Sequence, residues 1–121
     1  MGQIKNIEML GHQFVLFRNQ KTSEPVLLDA YCPHLGAHLG VGGSLDEDGD
    51  LVCPFHGWSF NDEGKCTNIP GTEVVPNSAF TKKYLTKEVN NVIFMWHDVD
   101  DSPPKYQIPE LEPGWVFHGN F

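Results

Sequence analysis

Four side chains able to ligate a metal sit in two short segments, Cys32-Pro33-His34-Leu35-Gly36 and Cys53-Pro54-Phe55-His56-Gly57-Trp58, with eighteen residues between His34 and Cys53. Each segment offers one thiolate and one imidazole, at CxH spacing in the first and CxxH spacing in the second. Two chemistries use such a set. One is a structural zinc ion held tetrahedrally by two Cys and two His. The other is a [2Fe–2S] cluster with two Cys on one iron and two His on the other, for which each segment must reach across and supply one ligand to each metal. Ligand counting alone leaves both open. The surroundings favour the cluster, because zinc fingers pair CxxC with HxxxH rather than mixing the types within a segment. Gly36 and Gly57, just past the histidines, let the backbone approach the inorganic core and aim N–H groups at sulfur. Imidazole donates less electron density than thiolate, so the His-bound iron is the one expected to become ferrous on reduction. That puts His34 and His56 on the electron's path.

Short strands and turns are expected to hold these segments. With 12% aromatic residues, 12 Gly and 9 Pro spread along 121 residues, the chain suits one all-β domain with a single modest core. Ile4 to Leu10 and Phe14 to Phe17 read as two strands around Gly11-His12, and with Val26 to Ala30 as a third they make a meander. Leu51-Val52 and Trp58-Ser59-Phe60 flank the second Cys/His segment, and Asn61-Asp62-Glu63-Gly64 forms a tight turn. Both Cys/His segments therefore fall at hairpin tips. Lys83 to Val89 and Val92 to Trp96 form a further hairpin through Asn90-Asn91. From Asp98 the texture changes, and the prolines at 103, 104, 109 and 113 mark an extended tail or linker. The expected division is a domain over residues 1–102, with a cluster-binding subdomain at about 31–70, and a Pro-rich tail over 103–121.

Sixteen acidic against eight basic residues give a formal charge of -8, which argues against nucleic-acid and anionic-membrane partners and can steer a basic redox protein. Three cysteines, two of them in the Cys/His segments, argue against a secreted disulfide framework and for a reducing, cytoplasmic setting. No apolar run approaches the ~20 residues that span a bilayer. A longer parent protein could still carry an anchor.

The two motifs resemble the Rieske domains of aromatic-ring and sterol oxygenases. The resemblance runs through Asp29-Ala30-Tyr31, Val41-Gly42-Gly43 and Gly64-Lys65-Cys66-Thr67-Asn68-Ile69-Pro70, and is closest in look to the Neverland-type cholesterol 7-desaturases and the 3-ketosteroid 9α-hydroxylases. It implies the Rieske fold, antiparallel sheets with a cluster-binding subdomain inserted between strands of a larger unit. It also implies a Rieske [2Fe–2S] cluster held by Cys32, His34, Cys53 and His56. Leu35, Gly36, Phe55, Gly57, Trp58 and Pro70 are expected around the cluster, with Pro70 on a third, covering loop. The implied electron donor is a reductase or ferredoxin, and the implied acceptor is a non-haem iron oxygenase domain. That domain needs two His and a carboxylate on one iron, and past residue 60 only His97 and His118 remain, so this chain is expected to transfer electrons without activating oxygen. A free-standing Rieske ferredoxin is the alternative, and a structural zinc module a weaker one. High-potential respiratory Rieske proteins carry a disulfide and a Ser hydroxyl where this chain has Ala37, Phe55 and Trp58, so a low potential is expected.

Of the remaining residues, Cys66 reads as a small buried hydrophobe. His38 reads as loop surface near the first tip, and His12, His97 and His118 as structural. The acidic runs at 46–50 and 98–101 read as solvated turns.

Overall fold

The structure, a computed structural model, describes residues 3–89, 92–96 and 104. Every regular element among them is a strand, and every pairing is antiparallel. β1 (Lys5–Met9), β2 (His12–Arg18) and β3 (Pro25–Asp29) form the expected meander. Its first turn is Leu10-Gly11 rather than Gly11-His12: both residues have positive φ, 53° and 73°, and Met9 pairs directly with His12. This is the two-residue geometry whose twist matches the flanking strands.

A second sheet lies between β3 and the strand that completes the first sheet. It contains β4 (Ser44–Leu45), β5 (Leu51–Val52), β6 (Ser59–Phe60) and β7 (Cys66–Asn68), in that spatial order. β8 (Lys83–Tyr84) then returns to pair with β3, giving the larger sheet the order β1-β2-β3-β8. The small sheet is thus an insertion in the large one. β9 (Thr86–Val89) and β10 (Val92–Met95) form a separate two-stranded sheet. Lys83 to Val89, expected as one strand, is two. The break is Leu85, whose carbonyl accepts the Trp96 N–H at 2.9 Å while its side chain is exposed, so the chain changes partners from β3 to β10 there. The Asn90-Asn91 turn and the Pro-rich tail, apart from Pro104, lie outside the described residues.

One core serves both larger sheets. Val15 and Phe17 of β2 and Val26 and Leu28 of β3 cluster with Leu39, Leu51, Phe60 and Cys66, which is the alternate-residue face that a pleated strand presents. On the opposite face Phe14 meets Tyr84 edge-on, ring centroids 4.9 Å apart. Two turns end the small sheet at the side away from the Cys/His segments. In each an Asx side chain closes the loop: Asp46 Oδ1 accepts the N–H groups of Asp48 and Asp50, and Asn61 Oδ1 those of Glu63 and Lys65. The acidic run at 46–50 is such a turn, while 98–101 lies outside the described residues.

Candidate metal centre

The two Cys/His segments fold into loops with one frame. In the first, the Cys32 carbonyl accepts the Gly36 N–H at 2.9 Å and the Cys32 N–H donates to Ala37 O at 2.8 Å. In the second, the Cys53 carbonyl accepts the Gly57 N–H at 3.1 Å and the Cys53 N–H donates to Trp58 O at 2.8 Å. The offsets from cysteine are identical, and each requires positive φ at its glycine, 77° at Gly36 and 78° at Gly57, which an L side chain rarely adopts. The histidines do not share an offset. The place that His34 takes in the first loop is Phe55 in the second, and the place of His56 is Leu35 in the first.

The structure brings all four expected ligands together, as two pairs. The thiols of Cys32 and Cys53 are neighbours within hydrogen-bond reach and are each 3% exposed. The imidazoles of His34 and His56 are exposed, with ring centroids 4.9 Å apart. Among the described residues no three His, Cys, Asp or Glu side chains gather around one point. Burial pushes the Cys32 thiol up to about 11; the backbone N–H groups of His34 and Leu35 oppose this, and the adjoining Cys53 adds to it. N–H groups aimed at a sulfur favour its thiolate form, the form that binds metal. A buried thiol pair with N–H donors beside an exposed imidazole pair fits the donor set of a cluster whose two irons differ in ligation.

The surrounding residues divide by role. Trp58, half-buried, packs against the core and lies flat on His34, centroids 4.4 Å apart with 6° between the planes. Phe55 leans on His56 at 4.0 Å. Leu35 and Phe55 remain 64% and 61% exposed. A Cβ on Gly57 would lie 3.2 Å from Pro70 Cγ, so the turn at Ile69-Pro70-Gly71, closed by a bond from Thr72 N to Ile69 O, leans over the second loop. Pro54 packs against Gly42 in the same way, and Gly43 stands where a Cβ would be 2.0 Å from the Leu39 carbonyl.

His38 differs from its reading as loop surface. It is half-buried, pairs across the first loop with Tyr31, and its Nδ1 accepts the Gly40 N–H at 3.0 Å. Cys66 is buried in the core, and its thiol too is raised by burial. The sequence reading missed the carbonyls of Ala37 and Trp58 as loop closures. The repeated Cys-to-Gly spacing of the two motifs was the available signal.

A family model for the Rieske [2Fe-2S] domain matches residues 1–84, which include both loops. The chain belongs to the Rieske [2Fe–2S] family. Its cofactor is accordingly a Rieske-type [2Fe–2S] cluster, and the likeness to sterol and steroid oxygenases read from the motifs holds. A cholesterol 7-desaturase of Ciona intestinalis is 46% identical over 110 residues, covering 91% of this chain and 23% of that protein. One from Xenopus laevis is 42% identical over 123 residues, 98% of this chain and 27% of its own. The oxygenase component of 3-ketosteroid-9-alpha-monooxygenase from Rhodococcus rhodochrous is 39% identical over 114 residues, covering 92% of this chain and 29% of that protein. This Rieske domain also superposes on solved structures: Pseudomonas putida CBB5 NdmA at TM-score 0.71 with 25% identity, covering 80% of this chain and 29% of that one, and dicamba monooxygenase with dicamba bound at 0.70 with 27% identity, covering 85% and 32%. The chain thus spans roughly a quarter to a third of the proteins it matches. Among the described residues no helix is long and apolar enough to cross a membrane.

Proposed function

We propose that Cys32 and Cys53 hold one iron and His34 and His56 the other, and that the domain relays single electrons from a reductase or ferredoxin to a non-haem iron oxygenase domain. The observation that carries the ligand assignment is the pairing, buried thiol with buried thiol and exposed imidazole with exposed imidazole. When bound, the cluster accepts and releases one electron at a time. The chain's own residues determine where. The buried cysteines and the turn at Pro70 keep water from one side, the N–H groups of His34 and Leu35 stabilise charge on Cys32, and the exposed imidazoles leave the other side open to a partner.

The acceptor is inferred from the matched relatives, which are sterol desaturases and oxygenase components of much greater length; a sterol or steroid substrate is inferred on the same ground. We take residues 31–70 as the cluster-binding unit and the segment from residue 103 as a linker toward the acceptor.

The test is iron and sulfide analysis with electron paramagnetic resonance of dithionite-reduced single variants. Cys32→Ser, Cys53→Ser, His34→Ala and His56→Ala should each lose the Rieske spectrum, whereas Cys66→Ser should keep two irons per chain. Retention of the spectrum in Cys53→Ser, or its loss in a folded Cys66→Ser, would overturn the assignment. Reduction by a suitable reductase without sterol turnover is expected of this chain alone, and a third bound iron with oxidised sterol product would contradict it.

A further inference from the structure

The two imidazoles are held unequally. Among the described residues the ring partners of His56 are His34 and, from its own loop, Phe55 at a 48° tilt, and Phe55 is itself largely in solvent. The His34 ring, in an exposed stretch from Pro33 to Gly36, makes no hydrogen bond among the described residues, and its ring partners are His56 and Trp58. The ring torsion of histidine is intrinsically soft. A parallel indole face 4.4 Å away removes that freedom. Trp58 can do this because it is fixed twice: its ring packs against the core, and its carbonyl accepts the Cys53 N–H that closes the second loop. In the first loop the equivalent place is Ala37, which has no ring to offer in return.

We infer that Trp58 is a positioning residue that orients the His34 imidazole from the opposite loop, tying the two loops together and fixing one ligand of the two-histidine iron. This rests on the assignment of His34 as a ligand. Groups that orient a metal ligand typically contribute roughly 10–100-fold in metal affinity, so losing the indole should act on cluster retention and on the spectrum of the site, not only on the fold.

The test uses the cluster-loaded 121-residue protein with Trp58→Phe, which keeps a smaller ring, and Trp58→Leu, which keeps bulk without one. Chelator-driven bleaching, the g-values of the reduced protein and thermal unfolding of the apoprotein are measured together. Bleaching should quicken in the order wild type, Phe, Leu, reaching about 10–100-fold for Leu, with g-values displaced in the same order and beyond what apoprotein stability accounts for. If only Trp58→Phe folds, a several-fold faster loss with displaced g-values is still expected of it. Unchanged g-values with bleaching that merely follows apoprotein stability would reduce Trp58 to a packing residue and overturn the inference. His34→Ala, run alongside, separates the two claims. Retention of two irons and the Rieske spectrum in that variant would sink the ligand assignment itself, whereas loss there with wild-type behaviour in Trp58→Leu would sink only the positioning role.

Discussion

At the cysteines the same burial that shelters a cluster penalises the empty protein. The Cys32 thiol is raised from an ordinary 9.0 to about 11, first by burial, and metal binding must displace that proton. In the apoprotein the sign follows from linkage. Above pH 9 the unfolded chain ionises this thiol while the folded chain keeps it protonated, so its contribution is complete below about pH 9 and is lost as pH rises toward 11. Apoprotein stability should therefore fall between about pH 9 and pH 11. Cys32→Ser should flatten part of that decline, leaving the part due to Cys66, which burial raises in the same sense. Urea unfolding of both apoproteins at pH 8 and pH 10 measures it, and equal losses in the two would contradict the account. Of this site, the four candidate ligands were legible from residue type and spacing. The stacking of Trp58 on His34 was not, because it joins loops far apart in sequence and no local pattern encodes it.

Among the elements, the small sheet owes its place to close backbone approaches rather than to long strands. The segment 79–81 is stitched to it by bonds from Cys66 N to Ala79 O at 2.9 Å and from Thr81 N to Gly64 O at 2.8 Å. Gly64 is buried there at φ +80°, and a Cβ on it would lie 2.1 Å from the Thr81 carbonyl. Gly71 has a similar φ of +88° with open space around it. Gly71→Ala should thus cost only the backbone strain, about 1–2 kcal/mol, and Gly64→Ala roughly 3 kcal/mol or more because the collision adds to it. Equal chemical-denaturation midpoints for the two variants would show that the stitch does not matter. The meander and the two loops could be read in advance because alternation and ligand spacing are local signals. β4 could not, since two residues after Gly42-Gly43 carry no period of their own and are strand by pairing Ser44 with Val52 and Leu45 with Leu51. The change of partner at Leu85 was equally hidden, because the apolar pattern runs through it without a break.

For the molecule as a whole, the redox level follows from what surrounds the pair of loops and from the total charge. Rieske potentials span roughly -150 to +300 mV and depend on hydrogen bonds to the sulfurs, net charge and exposure. The high-potential members of the family add a disulfide and a hydroxyl donor. In this chain those places hold Ala37, which supplies a carbonyl, Phe55, which supplies a ring to His56, and Trp58, which supplies one to His34; the cysteines are free thiols. No added hydroxyl dipole stabilises the reduced state from these positions. The formal charge of -8 disfavours an incoming electron as well, through a field that salt screens over about 10 Å at 0.1 M. Both effects act in one direction. The midpoint at neutral pH should therefore fall near about -150 mV and move upward as ionic strength rises. Protein-film voltammetry across a salt series measures both, and a midpoint well above zero would show that Ala37, Phe55 and Trp58 do not set the level of this site.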